Sequence, residues 1–280
     1  MTTESNPTPP LAGSSRPRLV NWESGGRIPP LADDEVRVWV VELDEGILGN
    51  SESDADALEP GPELAILSDD ERARAARFIR ARERRRFARC RAALRHILGE
   101  LLDRPPGSLR FRARAAGKPE LEPDTGWGAE PGLPAALRFN VSHSADLAVI
   151  AVAVGREVGV DVERLKAIGE AERIVASFFT PAENAAFMAI PESDRPVAFL
   201  RGWTRKEAVL KAFGSGIAGL AARHETGFGL DELAARFQPA APSHRVDRWA
   251  LWEASPRPGF VAALAVDAER RLMADPTTSP

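Results

Sequence analysis

The sequence predicts an α+β fold, and three observations predict it. Runs of β-branched and aromatic residues at 36–41, 147–154 and 158–163 read as strands. Leu94, Ile97, Leu98, Leu101 and Leu102 recur at helical spacing and mark a long helix with one side turned to a core. The order strand, helices, hairpin, helices, hairpin points to antiparallel pairing.

Residues 1 to about 30 are dominated by Pro, Ser, Thr and Gly without an apolar period, which predicts a leader lacking fixed structure. Val36-Arg37-Val38-Trp39-Val40-Val41 opens the fold as a strand. A loose stretch over 49–62 precedes a long helical region, with Ser68 as its N-cap and Asp69, Asp70 and Glu71 at the positive end of the helix dipole. That region stops before Pro105-Pro106. The Pro- and Gly-rich stretch 120–134 is a loop. The unbroken apolar run 147–154 is a buried strand, and Gly155-Arg156 suits a tight hairpin turn into the strand 158–163. Helical patterns follow over 171–178, 181–190 and 195–213, and strands near 248–253 and 260–266 close the fold as a hairpin.

A chain of 280 residues with 44% hydrophobic and 28% charged residues has the balance of a globular protein and buries a substantial core. A formal net charge of −4 offers no global attraction to nucleic acid or to an anionic membrane. The single cysteine, Cys90, rules out an internal disulfide framework and fits a reducing compartment. No apolar run reaches the roughly 18–20 residues that span a bilayer. The start, Met1 to Pro10, lacks the basic and apolar regions of a signal peptide. A cytoplasmic location is the expectation by elimination. No Cys/His cluster has zinc spacing.

Strand residues alternate faces, so Val158, Val160 and Val162 point one way while Asp161 and Glu163 point the other. Two carboxylates two positions apart are a candidate site for a hard cation such as Mg²⁺. They equally fit an edge strand showing acids to solvent. In Trp203-Thr204-Arg205-Lys206-Glu207-Ala208-Val209-Leu210-Lys211, positions 203, 207 and 211 share one helix side. Glu207 can complete a metal site or accept a proton, and Lys211 can neutralise a bound diphosphate. An ordinary surface ion pair beside a core tryptophan fits the same spacing.

Together, Gly159-Val160-Asp161-Val162-Glu163 and Trp203-x-x-Lys206-Glu207-x-x-x-Lys211 resemble the signature of Sfp-type 4′-phosphopantetheinyl transferases. Phe139-Asn140-Val141-Ser142-His143-Ser144 is similar to that family's N-[IV]-S-H-S block, Gly117-Lys118-Pro119 to its G-K-P block, and Phe178-Phe179-Thr180-Pro181-Ala182-Glu183 to its F-F-[ST]-x-x-E stretch. The five blocks lie in order and cover roughly 68–213.

The resemblance implies a monomer of two similar α+β halves related by a pseudo-twofold axis, each an antiparallel sheet packed against helices, with coenzyme A between them. It sets the boundary near Gly155, so that with the leader at 1–33 and a tail at 273–280 the halves are expected at 34–155 and 156–272. It implies transfer of phosphopantetheine from coenzyme A to a serine of an apo carrier protein of fatty-acid, polyketide or non-ribosomal peptide synthesis, releasing 3′,5′-adenosine diphosphate. Mg²⁺, with Mn²⁺ as a substitute, would be held by Asp161, Glu163 and Glu207. Glu207, or a water ordered by Glu163, would take the serine proton, and Lys211 would stabilise the leaving side. Coenzyme A would be met by Arg74, Arg82, Arg86, Lys118, Ser142, His143, Lys206 and Lys211. Phe178, Phe179, Phe187 and Met188 fall where the family docks carriers, although paired phenylalanines are usually core. The length and the second acidic motif are unlike the short trimeric holo-acyl-carrier-protein synthase type, and they direct the expectation to secondary metabolism.

The arginines running from Arg72 to Arg95 leave an alternative open. They serve coenzyme A phosphates and an acidic partner in one reading, a solvated helix in a second, and nucleic acid in a third. Salt-dependent binding to generic DNA or RNA without coenzyme A would mark the third.

Overall fold

Two four-stranded sheets pack inner face to inner face, and a long helix covers the outer face of each. A computed structural model describes residues 17–22, 27–32, 35–44, 62–113, 117–122, 137–214, 226–227, 244–246 and 249–268. The first half contributes β1 (Arg18–Asn21), β2 (Val36–Glu42), α1 (Asp69–Ala76), α2 (Ala81–Leu102), the short pair β3 (Phe111–Ala113) and β4 (Pro119–Leu121), then β5 (Leu137–Ser144) and β6 (Leu147–Val154). Its sheet runs β1-β2-β6-β5. The second half contributes β7 (Val158–Arg164), α3 (Ala171–Phe178), α4 (Pro181–Met188), α5 (Arg195–Phe213), β8 (His244–Val246), β9 (Trp249–Ala254) and β10 (Phe260–Asp267), in the sheet β7-β10-β9-β8. The α+β class and the closing β9–β10 hairpin match the expectation. No helix among the described residues is long and apolar enough to cross a membrane.

The alternation of each strand explains the layering. Val36, Val38 and Val40 of β2 join Val158, Val160, Val162 and Leu264 in the core between the sheets. Trp39 and Val41, one residue out of phase, meet Leu94, Ile97 and Leu98 of α2 instead. Strands covered on both faces carry no polar alternation, which is why β6 is apolar and buried throughout and β10 is apolar up to its last residue, Asp267.

Three expectations need correction. Residues 18–21, assigned to an unstructured leader, form an edge strand parallel to β2; Leu19 and Val20 pack on opposite faces, a segment too short to show a period. Gly155-Arg156 does not close a hairpin. β6 already has β2 and β5 as neighbours, so the chain passes to the other sheet, where β7 pairs with β10. The hairpin is β5–β6, turning at Ala145 with a φ of +53°. The helical region after Ser68 is two helices, broken at Phe78-Ile79, where Phe78 folds onto Phe87 at 5.5 Å and Ile79 is left 99% exposed. The start at Ser68 is as expected: its N–H donates to Glu71 at 3.0 Å.

The approach of α5 to β7 sets the site. A Cβ on Gly159 would lie 2.1 Å from the Ala208 carbonyl and 2.4 Å from the Ala212 nitrogen. Ala208 and Ala212, one turn apart, therefore press on bare backbone, and the preceding residues Glu207 and Lys211 are carried to the flank of β7 beside Asp161. Gly159→Ala has no flexible neighbour to displace. It is expected to cost at least about 3 kcal/mol, read as a lowered denaturation midpoint.

Candidate active site at the junction of the two halves

Asp161 is 4% exposed. Its Oδ1 accepts from Ser142 Oγ at 2.8 Å and from Lys211 Nζ at 2.5 Å. Lys211 also donates to Ser142 Oγ at 2.9 Å, so β5, β7 and α5 meet in one triangle. Two residues along, Glu163 Oε2 accepts from Ser144 Oγ at 2.7 Å. Burial lifts the Glu163 pKa above its ordinary value, with Asp161 adding to the rise and the Ser144 bond opposing it. Glu207 is affected most. Burial first, then the Asp161 charge, push it up to about 7 against the pull of Lys211. Asp161, Glu163 and Glu207 thus form one mutually repelling group.

No three His, Cys, Asp or Glu side chains among the described residues sit in a finished metal-binding arrangement, and Lys211 is the cation that meets Asp161. The donor set nevertheless suits a hard divalent ion. The ligand atoms are all carboxylate oxygens, Asp161 and Glu163 both raise the proton affinity of Glu207, and Asp161 Oδ2 is buried without a hydrogen-bond partner. An orphaned carboxylate oxygen of this kind requires an explanation, and a cation between the acids provides one.

Beside this group lies a cavity of about 390 Å³. Its wall includes Arg74, Arg86, Phe78, Phe87, Phe111 and His143. The His143 pKa is held below the usual histidine value by desolvation and by Lys211. Arg74 lies over the Phe87 ring at 5.4 Å. Arg86 is held by both oxygens of Asp44, at 2.8 and 2.6 Å, and by Glu83 at 3.0 Å. The Asp44 bonds raise the Arg86 pKa further. Arg82 does not line the cavity, and its Nε is buried without a hydrogen-bond partner. Cys90 of α2 also lines the cavity; it is buried, and desolvation pushes its thiol up to about 11.

Two expected coenzyme A contacts point elsewhere. Lys206 lies 100° around the helix from Glu207 and donates to Glu183 Oε2 at 2.7 Å, with both side chains buried. Burial raises the Glu183 pKa, but Lys206 and the N–H groups of Thr180 and Thr226 outweigh it and bring it below normal. Lys206 is a structural cation. Lys118 donates to Glu157 at 3.0 Å and to the carbonyls of Val158 and Ala212 at 3.0 and 3.3 Å. It caps the negative end of α5 while its neighbours Gly117 and Pro119 line the cavity. Ser142 is engaged by Asp161 and Lys211. Phe179 and Phe187 are core, Phe178 packs on Trp203, and Met188 is exposed. Arg91 and Arg95 of the arginine run both bind Glu71, so the run is not one open face.

Sequence reasoning passed over Ser144, Asn140 and Glu183 as functional positions. The first two stand in the quoted block at every second residue, and that alternation was their signal. Glu183 closes the F-F-T-P-A-E block, and in the structure it forms a capping box with Thr180 as well as meeting Lys206.

The comparisons with known proteins agree with this geometry. A model of the 4′-phosphopantetheinyl transferase superfamily matches residues 157–255, and one described as 4′-phosphopantetheinyl transferase, N-terminal, matches 62–155. The chain is 30% identical to the 4′-phosphopantetheinyl transferase gsp of Aneurinibacillus migulanus, over 47% of this chain and 53% of that one. It is 29% identical to the human L-aminoadipate-semialdehyde dehydrogenase-phosphopantetheinyl transferase, over 55% of this chain and 51% of that one. The 4′-phosphopantetheinyl transferase HetI of a Nostoc species is 37% identical over 238 residues, covering 84% of this chain and 89% of the relative. With two successive family models and a relative matched over nearly its whole length, this chain belongs to the 4′-phosphopantetheinyl transferase family.

Proposed function

We propose that this protein transfers the 4′-phosphopantetheine group of coenzyme A to a serine of an apo carrier protein, as a magnesium-dependent enzyme of the Sfp type. The observation that carries the reading is the convergence of Asp161, Glu163 and Glu207 with Lys211 beside an arginine- and aromatic-lined cavity. Asp161, Glu163 and Glu207 would hold Mg²⁺, with Mn²⁺ as a substitute, and the ion supplies charge neutralisation on a bound diphosphate. Arg74, Arg86 and His143 face the phosphates and adenosine. Glu207 accepts the proton of the carrier serine, and a pKa near 7 suits a base working at neutral pH. The serine oxygen bonds to the phosphorus bearing pantetheine as the bond to the bridging oxygen breaks, and 3′,5′-adenosine diphosphate leaves. Lys211 donates toward the charge on the leaving side, so catalysis is positioning plus electrostatics. A water ordered by Glu163, whose pKa is also raised by burial, is the second route for the proton.

The organisation that goes with this reading is a monomer whose first half runs from β1 to about 155 and whose second half begins at 156, serving carriers of secondary metabolism in the cytoplasm; the tail expected at 273–280 lies outside the described residues. The test is intact-protein mass spectrometry of apo carriers after incubation with this chain, coenzyme A and Mg²⁺. A mass gain of one phosphopantetheine that EDTA abolishes is the expected result. No gain on unrelated fatty-acid, polyketide and peptide carriers, with no binding of coenzyme A, would remove the proposal and return attention to the arginines of α1 and α2.

A further inference from the structure

β5 and β7 run side by side in the same direction but belong to different sheets. The facing edge of β7 is bonded by side chains of β5. Asn140 Oδ1 accepts the Val160 N–H at 2.9 Å, and Ser144 Oγ accepts the Arg164 N–H at 3.2 Å. Between them, Ser142 and Ser144 donate to Asp161 and Glu163 at 2.8 and 2.7 Å. Asn140, Ser142 and Ser144 occupy alternate positions and share one face of the strand. The opposite face carries Phe139 and Val141 toward α2 and His143 to the cavity. Asn140 and Ser142 are 4% and 5% exposed, so this polar face is an internal seam.

We infer that Asn140, Ser142 and Ser144 form a side-chain ladder that replaces backbone pairing between the two halves and orients Asp161 and Glu163 for a divalent cation. The inference rests on the proposed use of these acids as metal ligands, and it assigns the serines to the carboxylates rather than to coenzyme A. A backbone ladder would satisfy the edge of β7 but leave its acids to choose their own rotamers. A hydroxyl two residues from the next, matched to a carboxylate two residues from the next, locks both side chains at once. Outer groups of this kind hold ligands in the geometry the metal needs and tune its affinity. Ser144 and Asn140 are positioning residues. Neither Ser142 nor Ser144 lines the cavity, although Val141, His143 and Ala145 do.

The test uses the full chain without coenzyme A and reads Mn²⁺ affinity by titration calorimetry in the parent, Ser144→Ala and Ser144→Thr. Coenzyme A binding is measured separately in EDTA. The ladder predicts Mn²⁺ binding weakened about tenfold in Ser144→Ala, restored in Ser144→Thr, with coenzyme A affinity in EDTA unchanged. A Ser144→Ala protein that binds Mn²⁺ like the parent overturns the inference, as does a threonine that fails to rescue. Loss of coenzyme A affinity in EDTA would also overturn it, because the serine would then be a phosphate donor. Weakened Mn²⁺ binding with threonine rescue, in a parent that modifies no carrier, would support the ladder and remove the transferase reading alone.

Discussion

Replacing Glu207 by glutamine is expected to stabilise the metal-free protein at alkaline pH while abolishing most turnover. The folded protein holds this carboxyl at about 7, against an ordinary value of 4.5, because burial and Asp161 disfavour its charge. Below pH 4.5 the side chain is protonated in both folded and unfolded chains, and it costs nothing. Between 4.5 and 7 the unfolded chain releases the proton while the folded one keeps it, so stability falls as pH rises. Above 7 the penalty is constant, on the order of 3 kcal/mol at about 1.4 kcal/mol per tenfold change in proton affinity. Glutamine keeps the shape and removes the charge. In EDTA its melting temperature should exceed the parent's by several degrees at pH 8, and the two should converge near pH 4.5. Mg²⁺ should stabilise the parent at pH 8 and narrow the gap. Equal melting curves at pH 8 would mean that Glu207 is not crowded by the other acids. Near-normal activity would take the base role away from it.

The second large effect is expected at Asp161. Asp161→Ala removes the acceptor shared by Ser142 and Lys211 and the charge that ranks next after burial in raising Glu207. The magnesium concentration for half-maximal transfer should rise by more than about 100-fold, beyond what loss of an outer-shell group costs. The pH dependence of stability should flatten as Glu207 moves back toward its ordinary value. An unchanged magnesium titration would place the metal elsewhere.

Much of this arrangement is legible in the sequence. Asp161 and Glu163 could be placed on one face of a strand because Val158, Val160 and Val162 declare the other, and Glu207 and Lys211 share a helix side by counting alone. What the sequence could not supply was direction around a partner. Lys206 stands next to Glu207 in the same motif, yet one step of 100° turns it to Glu183. Lys118 lies beside two cavity residues and is drawn to the carbonyls ending α5. The strand pattern of β5 was hidden because its polar face meets another strand, so Asn-x-Ser-x-Ser read as a motif and the hairpin was assigned one strand too late. β1 was hidden by brevity: four residues, bounded by charged and polar ones, carry too little period to stand out from a Pro- and Ser-rich surround.

The thiol of Cys90 has a consequence for the chemistry of the proposed substrate. Coenzyme A ends in a free sulfhydryl, and its oxidised forms exchange with any protein thiolate they meet. The only cysteine of the chain lines the cavity with a pKa of about 11, so at pH 7 only about one thiol in ten thousand is ionised. A thiol-bearing substrate in this cavity therefore meets a cysteine that is almost wholly protonated and a poor partner for mixed disulfides.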